Sequence, residues 1–240
     1  MNIWHSFTEW LGATHPGPGN SNSIRAFLIG ALVAIFPFTW RFTRIVATYF
    51  HESGHALSTV LTGNRVRKIR LEADTSGATY WTGNAGRIKQ SIIAFCGYPA
   101  PAITGWFTMW CVRTGHQNWT IAVAMGIATF FALVQRSIRG WALTLLVIGA
   151  SIAYIRVPHT DQIVESVAIF LCGLAGFLLL ASPRTIIELN RIRRRTPKGS
   201  RHSDSDALSR LTKLPAVFWE FIFLVFCGVL IWFSLFALLV

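Results

Sequence analysis

Apolar residues in this chain come in long runs, separated by short polar stretches rich in glycine, proline, arginine and lysine. A first short run covers residues 24–40 and ends near Pro37; a second covers 41–62 and stops at Gly63-Asn64. Later runs include 119–135, 141–157 and 163–182, and the last spans about 215–239. Runs of this length, this poor in charge, predict membrane-spanning helices. The fold class they give is an α-helical polytopic membrane protein with about six transmembrane helices. One run, 91–112, is interrupted by Gly97-Tyr98-Pro99-Ala100-Pro101, which cannot continue a helix smoothly. Bare backbone at that depth is tolerated only against protein or a watery cavity. The stretch after Asn64 has a different period. Arg65 to Leu71 alternates polar and apolar residues, Asp74-Thr75-Ser76-Gly77 reads as a turn, and Ala78 to Trp81 reads as a second strand. A small β-hairpin or sheet is therefore predicted within 65–89.

These elements divide the chain into four parts. Residues 1–23 form a flexible amino-terminal segment carrying Trp4, Trp10 and a Pro-Gly-rich stretch. Residues 24–183 form a membrane-embedded core that contains the hairpin. Residues 184–203 form a basic cytoplasmic linker, and 204–240 form a carboxyl-terminal helix leading into the last span. No basic region with an adjoining apolar core occurs in the first twenty residues, so the first span is expected to be uncleaved.

Composition agrees with a membrane protein. The chain is 52% hydrophobic with mean hydropathy +0.47, and only 13% of its residues are charged, where a soluble domain carries about a quarter. The net charge of +12 does not point to nucleic acid, because the basic residues fall between apolar runs, where they set topology and meet anionic lipid. The expected partners are the bilayer and no nucleic acid. Placing residues 184–213 in the cytoplasm and alternating outwards puts every basic residue there except Arg41, Arg44, Arg113 and Arg156. On that scheme the amino end is inside and the carboxyl end outside. Cys96, Cys111, Cys172 and Cys227 lie in or beside apolar runs without a Cys-x-x-Cys pair. They read as small buried hydrophobes rather than disulfides or thiolate ligands.

The candidate chemistry lies in the second run, at His51-Glu52-Ser53-Gly54-His55. On a helix, positions i and i+4 share a face, so His51 and His55 can offer two imidazole nitrogens to one metal. A zinc ion (Zn2+) accepts such nitrogens in a tetrahedral site. Glu52, beside the first histidine, is then placed to act as general base toward a zinc-activated water. Three ionisable groups among Ile45-Val46-Ala47 and Val60-Leu61 are costly at membrane depth unless they act together. On the alternating scheme His55 stands ~10 Å from the cytoplasmic end of its helix, so the site is expected to be reachable from the cytoplasm.

An apolar helix with His51 to Ala56, then Asp74 to Thr79, Gly97 to Pro101 and a late Ser203-Asp204-Ser205-Asp206-Ala207-Leu208 resembles the site-2 protease family of intramembrane zinc metallopeptidases. The likeness is greatest to its short bacterial, actinobacterial branch, and it covers about residues 40–240. The resemblance implies a multi-pass metalloprotease of the bacterial plasma membrane acting on a membrane-protein or peptide substrate. It marks Asp74, Ser76, Gly77, Thr79, Gly97 and Pro99 as possible substrate-binding positions. One feature departs from the family. Typical members supply a third ligand from a late Asp-Gly motif, and this chain has no Asp-Gly. Asp204 is the first candidate, with Asp206 as the alternative; capping of the last helix is the competing role for both. His202 and Glu220 are further options. The missing motif also leaves a non-catalytic metal-binding scaffold or regulator as the alternative function. A transporter would carry internal repeats, and none is seen.

Overall fold

The computed structural model describes residues 3–72, 74–195 and 203–239. Among them are ten helices and one two-stranded antiparallel sheet: α1 (Ile3–Gly12), α2 (Asn20–Ile35), α3 (Pro37–Leu61), β1 (Arg65–Leu71), β2 (Gly77–Thr82), α4 (Arg87–Cys96), α5 (Pro99–Arg113), α6 (Gln117–Val134), α7 (Ile138–Arg156), α8 (Asp161–Arg195), α9 (Asp204–Thr212) and α10 (Ala216–Leu239). The α-helical membrane class and the hairpin are as the sequence predicts. Four helices, α6, α7, α8 and α10, are long and apolar enough to cross a membrane, and up to five crossings result if α2 and α3 are counted as one bent span. The break at Gly97 leaves α4 and α5 with 10 and 15 residues, below the usual ~20 of a span, yet α5 passes from the end where Tyr98 meets Ser182 to the opposite end, where Arg113 meets Ala237.

Helix α8 is the axis of the bundle. Its 35 residues extend ~52 Å at 1.5 Å per residue, which exceeds the ~30 Å hydrocarbon core. Pro183 lies within it and does not end it, so residues 184–195 of the basic stretch are helical. Residues 196–202 of that stretch, with His202 among them, lie outside the described residues. Small residues let α2 approach α8 closely: a Cβ on Gly30 would lie 1.8 Å from the Gly173 carbonyl oxygen. Asn22 donates to Glu165 at 3.4 Å, and Arg184 donates to the Ile35 carbonyl, so α2 and α8 run in the same direction. Helix α5 runs the other way. The Ser182 hydroxyl donates to the Tyr98 carbonyl at 3.0 Å and accepts from the Ala102 amide at 3.1 Å.

One expectation is corrected here. The apolar run 41–62 does not retrace the crossing made by α2, because α3 leaves α2 at 98°. Phe36 is extended and Pro37 takes the first helical turn, a position that suits proline and permits a sharp change of direction. Along its length α3 stays at one end of the bundle. Trp40 donates to Glu188 at 3.0 Å, the Tyr49 ring lies 4.4 Å from that of Phe131, and His55 reaches Ile93. Arg41 and Arg44 therefore join the hairpin end, and Arg25 moves to the opposite end with Arg113 and Arg156. The carboxyl end of α10 also lies there, where Arg113 donates to the Ala237 carbonyl at 2.9 Å.

Strands β1 and β2 pair from Arg65–Thr82 to Leu71–Gly77, with an irregularity between Val66 and Lys68. The hairpin is anchored to the α6–α7 connection: the Arg136 amide donates to the Ile69 carbonyl at 2.9 Å, and the Leu71 amide to the Ser137 hydroxyl at 2.9 Å. Ile69 and Leu71 are buried with Tyr49, Ala56 and Phe131, which fixes the hairpin against the motif helix.

Candidate metal centre

The two histidines occupy one face of α3, as the i, i+4 spacing requires. Their Nε2 atoms are 3.0 Å apart. The His55 Nδ1 lies 2.7 Å from the Ile93 carbonyl, which can only accept, so Nδ1 carries the proton and Nε2 presents its lone pair. The Tyr98 ring meets His51 edge to face, with centroids 4.8 Å apart. A third donor comes from the first turn of α9. Asp204 Oδ2 lies 3.1 Å from His51 Nε2 and 3.2 Å from His55 Nε2. Burial alone would push the Asp204 carboxyl up. The imidazoles of His55 and His51 outweigh that and hold it below the ordinary carboxylate range.

The donor set fits a zinc ion. Bonds of ~2.0–2.1 Å in a tetrahedral site place ligand atoms ~3.3 Å apart, and the three atoms here are 3.0–3.2 Å apart. Two imidazoles and one carboxylate leave a fourth position open, the pattern of a catalytic rather than a structural site. Among the described residues, His51, His55 and Asp204 are the group able to hold a metal ion.

Asp206 faces elsewhere. Ser203 caps α9, accepting from the Asp206 amide at 3.3 Å, while the Asp206 carboxylate accepts from the Ser203 amide at 3.3 Å. This reciprocal arrangement is a capping box, and it engages Asp206 at the helix start. Glu220, the other acidic option, is 2% exposed and is paired with Arg193 instead.

The hairpin approaches the same centre through Glu52, which is 3% exposed. The Thr79 hydroxyl donates to Glu52 Oε2 at 2.6 Å. A Cβ on Gly77 would lie 2.4 Å from Glu52 Oε1, so the strand can approach the carboxylate only where it carries no side chain. Gly97 plays the equivalent part on the other side, against the two imidazoles. The remaining positions singled out from the resemblance have other surroundings. Asp74 Oδ1 accepts from the Ser76 amide at 2.9 Å and from its hydroxyl at 2.6 Å. These donors hold the Asp74 carboxyl below its ordinary range and close the turn. Pro99 is buried in the first turn of α5.

A cavity of 610 Å³ opens onto the centre, bounded by Trp40, Arg44, Glu52, Tyr98, Leu189 and Asp204 among others. Gly77, Ala78, Thr79 and Trp81 of β2 also line it. Three features of the site were not read from the sequence: the Ile93 carbonyl that orients His55, the Thr79–Glu52 bond, and a buried polar network behind Asp204. No local spacing links residues 38, 27 and 30 positions apart.

The family model described as peptidase M50B-like matches residues 24–234. No curated protein and no solved structure matches the chain.

Proposed function

The chain belongs to the peptidase M50B-like family, a site-2 protease family, and on that premise we propose that it is an intramembrane zinc metallopeptidase. The observation that carries the reading is the meeting of His51, His55 and Asp204 beside Glu52, in a cavity at one end of a membrane bundle. His51, His55 and Asp204 hold the metal in this reading. Zinc would supply Lewis-acid chemistry there, lowering the pKa of a water at the fourth position toward neutrality. Glu52 takes the proton of the attacking water and returns it to the departing amine. Thr79 holds Oε2 of that carboxylate and so leaves Oε1 for the proton. The position of Asp204 supplies what the absent Asp-Gly motif would have given, and this weakens the alternative of a non-catalytic scaffold.

The substrate in this reading is a membrane protein or peptide. The outer edge of β1 meets Gln135, whereas β2 faces the cavity, so an unwound segment is expected to lie along β2 as an added strand. In this reading the site lies on the cytoplasmic side of a bacterial plasma membrane, a side supported by the basic residues gathered at that end of the bundle. The test is metal content together with cleavage of an internally quenched peptide in detergent micelles. About one zinc per chain is expected, lost in His51→Ala, His55→Ala and Asp204→Ala. Glu52→Gln is expected to keep zinc and lose cleavage. A wild-type chain that binds no zinc, or a Glu52→Gln variant that cleaves normally, overturns the reading.

A further inference from the structure

Behind Asp204 lies a group of buried polar side chains contributed by three helices. Arg193, near the end of α8, is 8% exposed; Glu220, in the first turns of α10, is 2% exposed; Ser205 of α9 is fully buried. The Arg193 guanidinium donates to Glu220 Oε1 and, at 3.0 Å, to the Ser205 hydroxyl. Ser205 donates in turn to Glu220 Oε1 at 3.2 Å, and Asn190 donates to Glu220 Oε2 at 2.8 Å. Arg193 Nε also lies 3.7 Å from Asp206 Oδ1. A single planar cation thus meets both residues that follow Asp204 and the helix behind them.

Two charges this far from water add little stability on balance, because desolvation offsets their attraction. Their best-attested use is to set register, since any other alignment strands a charge. Here the register concerns α9, only nine residues long and too short to hold a position without tertiary contacts. Successive helical residues point ~100° apart. With Ser205 held toward Glu220 and Asp206 toward Ser203 and Arg193, the carboxylate of Asp204 is directed to the imidazoles.

We propose that Arg193 and Glu220 are positioning residues that lock α9 in the one register in which Asp204 completes the metal centre. The inference rests on the zinc reading above. Neither residue lines the cavity, and the contacts above run to Ser205, Asp206 and Asn190 rather than to a ligand's donor atom, so the effect is on ligand placement. Outer partners that orient a metal ligand typically govern 10–100-fold in affinity.

The experiment compares the full-length wild type with the double variant Arg193→Met/Glu220→Met and with Arg193→Lys. The double replacement removes both charges, which spares the fold the unpaired charge that either single change would leave. Arg193→Lys keeps the charge but loses the fork that reaches Glu220, Ser205 and Asp206 together. Zinc affinity is read by chelator competition, and the cobalt(II)-loaded proteins are compared by visible absorption. The double variant is expected to bind zinc 10–100-fold more weakly, with a cobalt spectrum like that of Asp204→Ala, and Arg193→Lys to fall between it and wild type. Zinc affinity within twofold of wild type and an unchanged cobalt spectrum in the double variant overturn the proposal while leaving the zinc reading intact. Absence of zinc from the wild type overturns the zinc reading itself, and the lock with it. Should the double variant not fold, Arg193→Lys decides by the same two readings.

Discussion

A methyl group on Gly97 would stand 2.4 Å from His55 Nε2 and 2.8 Å from His51 Cε1, closer than any real side chain tolerates. The backbone must run this near the imidazoles because α4 ends and α5 begins there, and Ile93, one turn earlier, holds His55. Gly97→Ala is therefore expected to displace both rings and weaken zinc binding at least tenfold, with helix content by circular dichroism unchanged; tight binding in this variant would mean the break can retreat. Thr79 tests the other side of the site. Its hydroxyl is the one side-chain donor recorded on Glu52 among the described residues, and an orienting hydrogen bond to a charged group contributes about 1.5–3 kcal/mol. Thr79→Val is expected to lower kcat roughly 10- to 100-fold at 1.36 kcal/mol per decade, with KM and zinc content near wild type. Thr79→Ser should restore most of the loss. A Thr79→Ser variant as poor as Thr79→Val would assign the residue to packing of β2 instead.

At the scale of elements, what was legible followed from local period. The hairpin was readable because its polar–apolar alternation and its turn residues are contiguous, and β1 and β2 match the expected strands to within a residue at each end. The pair His51 and His55 was readable because four residues is one helical turn. Asp204 required a contact across 149 positions, so the sequence could only nominate it beside Asp206. The two are separated by geometry on α9, one turned to the imidazoles and one to the cap. Asp206→Ala is expected to cost about 1 kcal/mol in a thermal melt, the usual value of a lost cap, with zinc affinity falling far less than in Asp204→Ala. The loop before α2 offers a test in pH. His15 Nε2 accepts from Asn118 at 3.3 Å, its ring stacks on that of His159, and its amide donates to the Gly115 carbonyl. Burial, with His159 adding to it, holds the His15 pKa below 6.5. A depressed histidine favours the neutral folded form, so its contribution is present above pH ~6.5 and is lost as pH falls. Hydrogen exchange at residues 13–19, taken relative to the intrinsic rate, which itself slows with acidity, should speed up on going from pH 7 to pH 5 as protection is lost. In His15→Asn that extra acceleration should be absent; if it persists, another group is responsible.

Over the whole molecule, the number of chain reversals was the least legible property, and α3 shows why. Hydropathy measures how apolar a helix is, not which way it points. A helix lying across the end of a bundle, with Phe38, Phe42 and Val60 exposed on one side and Trp40, Ala47 and His55 buried on the other, carries apolar stretches that read as a crossing, although α3 alone is not apolar enough for one. Treating it as one inverted the assignment of everything before it. With the 98° bend in place, residues 13–25 stand with the α5–α6 connection and the end of α10. Among the described residues, Arg25, Arg113 and Arg156 are then the basic residues at that end, a stronger asymmetry than simple alternation gave. Under the proposed orientation that end lies outside the cytoplasm, as the positive-inside rule favours. Single cysteines at Asn20, Thr114 and Gly83, introduced into a chain whose four native cysteines are replaced, separate the two arrangements. With an impermeant maleimide added to intact cells, Asn20→Cys and Thr114→Cys are expected to be labelled and Gly83→Cys to be protected until the membrane is opened. Labelling of Thr114→Cys without Asn20→Cys would restore α3 as a crossing helix and return the amino end to the cytoplasm. Labelling of Gly83→Cys alone would turn the molecule over and place the metal centre on the outer face.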